Sequence, residues 1–288
     1  NLMLVGAAYQ AGVIPISAAA IEKAIEINGV SVKANIQAFR VGRRTVIEPG
    51  WVDTLPTKRA GDLTYTTPLS PEAQALVDSV GAGGELQRLL SIRVPELIAY
   101  QNIAYAKSYV DFVKQVAEAE QKALPNETAL TEAVARYLFK LMAYKDEYEV
   151  ARLHLNENVK AELAEQFGES AKTAYMLHPP MLRSWGLKHK LKLGQWFNPG
   201  LSLLKRMKWV RGTPFDLFGY AKVRRVERAL IGEYRALIAN HLGSLDASNH
   251  PALVELARLP DMIRGYESIK MANVEKYHSA VKDVLSRI

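Results

Sequence analysis

Residues 95–155 read PELIAYQNIAYAKSYVDFVKQVAEAEQKALPNETALTEAVARYLFKLMAYKDEYEVARLHL, and this stretch decides the fold. From Pro95 to about Leu124, the residues Leu97, Ile98, Tyr105, Tyr109, Phe112, Val113 and Val116 recur at helical intervals. Pro95-Glu96 suits the start of that helix, because a proline at the first helical position forgoes an N–H that has no intrahelical partner there. Pro125-Asn126 then turns the chain, and Leu130 to about Leu155 forms a second amphipathic run. Two long helices joined by so short a turn are predicted to lie antiparallel.

Toward the N-terminus, Ser70-Pro71-Glu72 opens another helix with a serine cap and a proline behind it. From Arg43 to Pro71 the texture is scattered Gly and Pro with the Thr-rich stretch LTYTTP, which predicts a linker over 46–70. Before it, Leu2 to Ala11 reads as a core helix stopped by Gly12 and Pro15. Ser17 is placed to cap a second helix, AAAIEKAIEI, ending on Asn28-Gly29, and a third short helix, VKANIQAFRVG, follows. Three short helices are too little for an independent core, so residues 1–45 are expected to complete a domain whose main body lies upstream. Asn1 is neither an initiator Met nor part of a basic leader, and the chain reads as an internal segment of a longer protein.

Toward the C-terminus, a short helix is predicted around Val159 to Phe167. A helix from Tyr220 through Asn240 carries Val223, Val226, Leu230, Tyr234 and Leu237 on one side. Asp261 is placed to cap a final helix to Ile288 bearing Ile263, Tyr266, Ile269, Val274, Tyr277, Val281 and Leu285. There is no internal repeat and almost no strand pattern after residue 70. The expected fold is mainly α: a helical domain over 71–288 with long antiparallel helices, preceded by the terminal helices of an incomplete α/β domain.

The charge is not spread evenly. From Arg183 to Arg225 there are eleven Lys and Arg against the single acid Asp216, a net of +10 in a chain whose total is +7. The surrounding segment Tyr175–Tyr220 also holds three of the four tryptophans, Trp185, Trp196 and Trp209, and is broken by Pro179-Pro180, Asn198-Pro199-Gly200 and Gly212-Thr213-Pro214. Charge this local marks a site or an interface. Three readings fit it: a solvated face whose long stems cover apolar surface, an anion site in which Gly-Thr-Pro and Pro-Gly loops offer backbone amides beside Lys and Arg, and a nucleic-acid or membrane surface. No recognised nucleic-acid motif supports the last, and neither nucleic acid nor membrane is expected as a partner.

Several chemistries are excluded or unsupported. The 288 residues contain no cysteine, which rules out disulfides, thiolate zinc sites, Cys-ligated clusters and a cysteine nucleophile within this chain. Glu275-x-x-His278 has the spacing of a di-iron carboxylate site, but no second pair exists. Gly81-Ala82-Gly83-Gly84 lacks the lysine of a phosphate loop and reads as a helix-linking loop. No Gly-x-Ser-x-Gly occurs. No metal or catalytic residue is assigned.

Two stretches carry a family resemblance. NLMLVGAAYQAGVIPISAAAIEKAIEINGVSVKANIQAFRVGRR resembles the end of the gamma-type domain of 2-oxoacid:ferredoxin oxidoreductases. YMLHPPMLRSWGLKHKLKLG followed by RGTPFDLFGYAKVRRVERALIGEYRALI resembles the helical C-terminal extension of the fused indolepyruvate ferredoxin oxidoreductases. The resemblance implies a cytoplasmic, homo-oligomeric parent enzyme that oxidatively decarboxylates aryl or branched-chain 2-oxoacids, using thiamine diphosphate with magnesium, iron–sulfur clusters, coenzyme A and ferredoxin. No catalytic residue of that family maps onto these positions, and no cofactor is expected to be bound here. The expected role is a non-catalytic accessory domain whose basic surface meets ferredoxin or the phosphates of coenzyme A through Lys188, Lys190, Lys192, Lys205, Arg206, Arg211, Arg224 and Arg225, with Trp196 and Trp209 packing or stacking alongside. The alternative is a structural assembly or dimerisation module with no ligand.

Overall fold

A computed structural model describes residues 1–51, 69–157, 173–177, 189 and 191–288. The chain divides into two compact units, Asn1–Thr66 and Thr67–Ile288.

The first unit holds α1 (Leu2–Gln10), α2 (Ala18–Asn28) and α3 (Val32–Ile47). Ser17 caps α2 by accepting the Ala20 N–H at 3.2 Å, and Gly29 ends it in the left-handed conformation with φ 70°. Helices α1 and α3 touch backbone to backbone through two glycines. A Cβ on Gly6 would lie 2.0 Å from the Phe39 carbonyl oxygen, and one on Gly42 would lie 1.8 Å from that of Met3. This closeness seats the fully buried Phe39 against Ile21 and Ile25 of α2. Helix α3 runs on to Ile47, into the start of the stretch predicted as linker, most of which lies outside the described residues.

The second unit contains α4 (Pro71–Asp78), α5 (Gly84–Tyr100), α6 (Ile103–Ala123), α7 (Ala129–Met142), α8 (Glu147–His154), α9 (Asn198–Arg206), α10 (Lys222–Leu242), α11 (His250–Arg258) and α12 (Glu267–Leu285). Among the described residues the only sheet is an antiparallel ribbon of β1 (Ala174–Leu177) and β2 (Leu191–Gly194), registered Ala174 to Gly194 and Leu177 to Leu191. The protein is mainly α. Among the described residues, no helix is long and apolar enough to cross a membrane.

The long runs predicted over 95–124 and 130–155 are each two helices. Pro95 lies inside α5 rather than at a start. Upstream of it Leu86, Leu89, Leu90 and Val94 continue a buried stripe, and that burial outweighs a proline cost of about 3 kcal/mol. The break comes at Gln101, after which Asn102 caps α6 by accepting the Tyr105 N–H at 2.9 Å. In the second run Asp146 accepts the Glu149 N–H at 2.8 Å and starts α8. Helices α6 and α7 are antiparallel. Glu120 meets Leu130 and Thr131, the Tyr109 hydroxyl donates to the Ala135 carbonyl, and Tyr105 donates to that of Met142, so one number falls as the other rises.

Three further expectations are corrected. The last helix starts at Glu267, not at Asp261, which sits in the 3-10 turn Leu259–Met262 and accepts from Lys140 and Arg264. Helix α11 stands where no helix was predicted; its start, His250-Pro251, is the proline-opened kind recognised at Pro71. The ribbon β1–β2 occupies part of a segment read as loop throughout. The helix predicted at Val159–Phe167 lies outside the described residues.

The core is built from α4 to α7 with α10 to α12. Tyr234 of α10 is fully buried, and its hydroxyl donates to the Ala257 carbonyl of α11 at 2.9 Å.

Candidate functional site

The basic, aromatic segment is seated from the ribbon onward. Buried Leu201 of α9 packs with Tyr175 of β1 and Ala151 of α8, and Leu193, Phe197 and Leu204 close around them. The Tyr175 hydroxyl donates to Asn198 Oδ1 at 2.8 Å. Since Leu201 and Leu204 take the inner face of α9, the 3.6-residue repeat leaves Leu203 and Arg206 outside. The 3-10 turn Met207–Val210 then delivers Lys208 to the end of α5, where its Nζ donates to the Ala99 and Ile98 carbonyls at 2.8 and 3.4 Å. A cation at a helix C-terminus meets carbonyls without intrahelical partners. Burial, and after it Arg211, lower the pKa of Lys208.

Arg211 is where the sequence expectation fails most clearly. Its side chain is 6% exposed. Nε and Nη2 donate to the two oxygens of Asp146 at 2.5 and 2.9 Å, and Nη1 donates to the Tyr100 carbonyl and to Gln101 Oε1. The guanidinium carbon lies 3.7 Å from the centroid of the Tyr100 ring and 5.6 Å from that of Tyr148. Burial opposes its charge, but the Asp146 hydrogen bonds win and hold its pKa above the usual value. This arginine is a clasp within the fold: four of its five N–H donors are bound to Asp146, Tyr100 and Gln101, and its side chain is buried away from an external anion. Arg224 is likewise paired inside the fold, with Glu227 at 2.7 Å and Glu147 at 3.4 Å, while Glu227 also accepts from Lys270.

The amides proposed for an anion in the Gly212-Thr213-Pro214 loop are also taken. Gly212 N–H and Gly219 N–H donate to Asp216 Oδ2 and Oδ1 at 2.9 and 3.0 Å, and the Tyr148 hydroxyl donates to the same carboxylate at 3.1 Å. Asp216, the one acid of the basic segment, sits where a phosphate would. Gly212 has φ +77°, and a Cβ on Gly219 would lie 2.5 Å from Asp216 Oδ2, so both positions suit glycine.

What remains at the surface is a smaller set. Lys192, Lys205, Arg206 and Arg225 are exposed and make no ion pair to any described residue. Lys188 and Lys190 lie outside the described residues. Trp196 and Trp209 are 72% and 68% exposed, and Leu203, Phe215 and Tyr220 are exposed as well. An apolar stretch of chain interleaved with unpaired cations can take an acidic partner that also has apolar surface. Sequence reasoning missed Asp146, Tyr100 and Tyr148, the groups that remove Arg211 from this surface. The one local signal for Asp146 was an acid three residues before Glu149, a helix-cap pattern.

Among the described residues no three His, Asp or Glu side chains converge as metal ligands. His278 of the Glu275-x-x-His278 pair lies 3.1 Å from Glu233.

No curated protein and no solved structure matches the chain. Residues 86–283 match DUF6537, described as a family of unknown function. That span runs from α5 into α12 and takes in the Arg211–Asp146 clasp, the Asp216 loop and the exposed cations together, and the chain belongs to the DUF6537 family.

Proposed function

We propose that this chain is a helical accessory part of a cytoplasmic, homo-oligomeric 2-oxoacid:ferredoxin oxidoreductase of the indolepyruvate type, and that it presents Lys192, Lys205, Arg206 and Arg225, with Trp196 and Trp209, to an acidic protein, ferredoxin. The enzyme assignment rests on the sequence resemblance. The docking role rests on one observation: these cations are exposed without ion pairs to described residues in a segment that also exposes Trp196 and Trp209, whereas Lys208, Arg211 and Arg224 of the same segment are spent inside the fold. Of the two anionic candidates, ferredoxin is favoured over the phosphates of coenzyme A, because the loop amides that would cradle a phosphate are bound to Asp216. Thiamine diphosphate, magnesium, the clusters and coenzyme A belong to the rest of the parent enzyme; a chain without cysteine supplies no cluster thiolate.

The test is ferredoxin-dependent turnover of the full-length parent carrying Lys192→Glu, Lys205→Glu and Arg206→Glu, across salt and ferredoxin concentration. A raised apparent KM with a shallower salt dependence is expected. Unchanged kinetics in a normally assembled variant would remove this reading. The exposed Trp196, Trp209 and Phe215 also suit a second reading, a structural assembly module; there the same variant alters oligomeric state and leaves the ferredoxin KM alone.

A further inference from the structure

Helices α5 and α7 flank a pocket of about 350 Å³ on the helical unit, lined by Arg93, Arg136, Lys140, Asp261 and the rings of Tyr137 and Phe139. Its lining carries three cations against one carboxylate, a net of +2. Lys140 is already used, its Nζ donating to the Pro260 and Asp261 carbonyls at 2.9 and 2.8 Å and pairing with the Asp261 carboxylate at 3.3 Å, so the net positive charge rests on Arg93 and Arg136. Arg136 spends one nitrogen on Glu85 at 3.0 Å, an acid that it shares with Arg88, and is otherwise open.

Arg93 has no such outlet. Its guanidinium lies 4.3 Å from the centroid of the Phe139 ring, its Nε is buried without a hydrogen-bond partner, and it forms no ion pair with any described residue. Burial, with Arg136 and Arg88 adding to it, pushes its pKa down, while Tyr109 and Glu96 act the other way. Arg211 and Arg224 of this unit are answered by Asp146 and Glu227. Arg235, which like Arg93 has a buried, unpartnered Nε and no ion pair to a described residue, still donates through Nη2 to the Ser108 carbonyl and hydroxyl at 3.2 and 3.3 Å; no hydrogen bond from Arg93 to a described residue relieves its charge. A half-buried guanidinium over an aromatic ring, near other arginines and with no carboxylate among the described residues paired to it, is costly unless an anion completes it.

We infer that the pocket between α5 and α7 binds a phosphate group, held by Arg93 and Arg136 with Phe139 and Tyr137 as an apolar wall. Guanidinium geometry suits the paired oxygens of a phosphate, and the lining charge matches a dianion. The group is either free inorganic phosphate or the end of a phosphomonoester whose body lies along the rings.

The experiment is a titration of the full chain with inorganic phosphate at constant ionic strength, followed by calorimetry and by thermal unfolding against chloride. Saturable binding with a rising unfolding midpoint is expected, by preferential binding to the folded state. Arg93→Met should weaken phosphate at least tenfold. Arg136→Met, at a half-exposed position where folding is not at stake, should weaken it as well, while Lys205→Glu with Arg206→Glu should leave it unchanged. Phenyl phosphate binding more tightly than phosphate identifies the ester as the ligand; equal binding identifies the free ion. No saturable binding by the wild type, or unchanged affinity in Arg136→Met together with a folded Arg93→Met, would overturn the site.

Discussion

The carboxylate of Asp146 and the guanidinium of Arg211 form a two-pronged ion pair across 65 residues of sequence, with both side chains almost fully buried. Asp146 also caps α8, so one acid both starts a helix and anchors a loop. Arg211→Met should therefore cost about 3–5 kcal/mol, the range for stranding one partner of a buried pair. Urea unfolding of Arg211→Met, Asp146→Asn and the double variant tests this. The double should lose less than the sum of the singles, because each single already breaks the shared contact.

Reversing Lys205 or Arg206 should behave oppositely. Both are exposed on or at the end of α9 with no ion pair to a described residue, so Lys205→Glu and Arg206→Glu should shift stability by no more than about 0.5 kcal/mol. The same urea series separates this from the Arg211 result, and a large loss would show that these side chains support the fold.

Glu120 is buried and accepts four hydrogen bonds, from the Leu130 and Thr131 amides, the Thr131 hydroxyl and His250 Nε2. It acts as the N-terminal cap of α7 from a neighbouring helix, which Thr128 does not do. Glu120→Ala should cost about 1–3 kcal/mol by leaving those amides unmatched. Amide exchange should quicken first at Leu130 and Thr131.

Burial lowers the pKa of His154, whose ring lies 5.1 Å from that of Tyr175. The folded protein then binds fewer protons than the unfolded chain just below pH 6.5, the ordinary value for an imidazole. Stability should fall as pH drops through that value, and it should be unaffected by this group at higher pH. His154→Phe should flatten the pH dependence of the unfolding midpoint just below pH 6.5.

In the first unit, Gly42→Ala or Gly6→Ala would drive a methyl to 1.8 or 2.0 Å from a backbone carbonyl oxygen. The helices α1 and α3 must separate, at a cost of about 1–3 kcal/mol. Faster amide exchange confined to residues 1–51 is the expected signature.

Local rules were read well where the signal was local. Ser17 and Ser70 cap their helices, Gly29 ends one, and Gly81 to Gly84 link α4 to α5. The proline rule succeeded at Pro71 and failed at Pro95, because whether a proline starts a helix depends on what the preceding turn buries, and Leu89, Leu90 and Val94 are core. It also went unused at Pro199 and Pro251, each at the opening of a helix. The basic segment was legible as a charge anomaly, but not its division into buried and exposed cations. Spacing cannot reveal that Arg211 meets Asp146 or that Lys208 meets the end of α5, since each partner lies tens of residues away in another helix.

The length of the Arg211 loop sets a timetable for synthesis. Ribosomes add about 5–20 residues per second, so Asp146 emerges roughly 3–13 seconds before the arginine that will neutralise it. During that interval α5 to α8 can form, but the groove that will receive Arg211 holds an unmatched carboxylate. The nascent helical unit therefore stays hydrated at that seam, and it closes only after translation has passed residue 211.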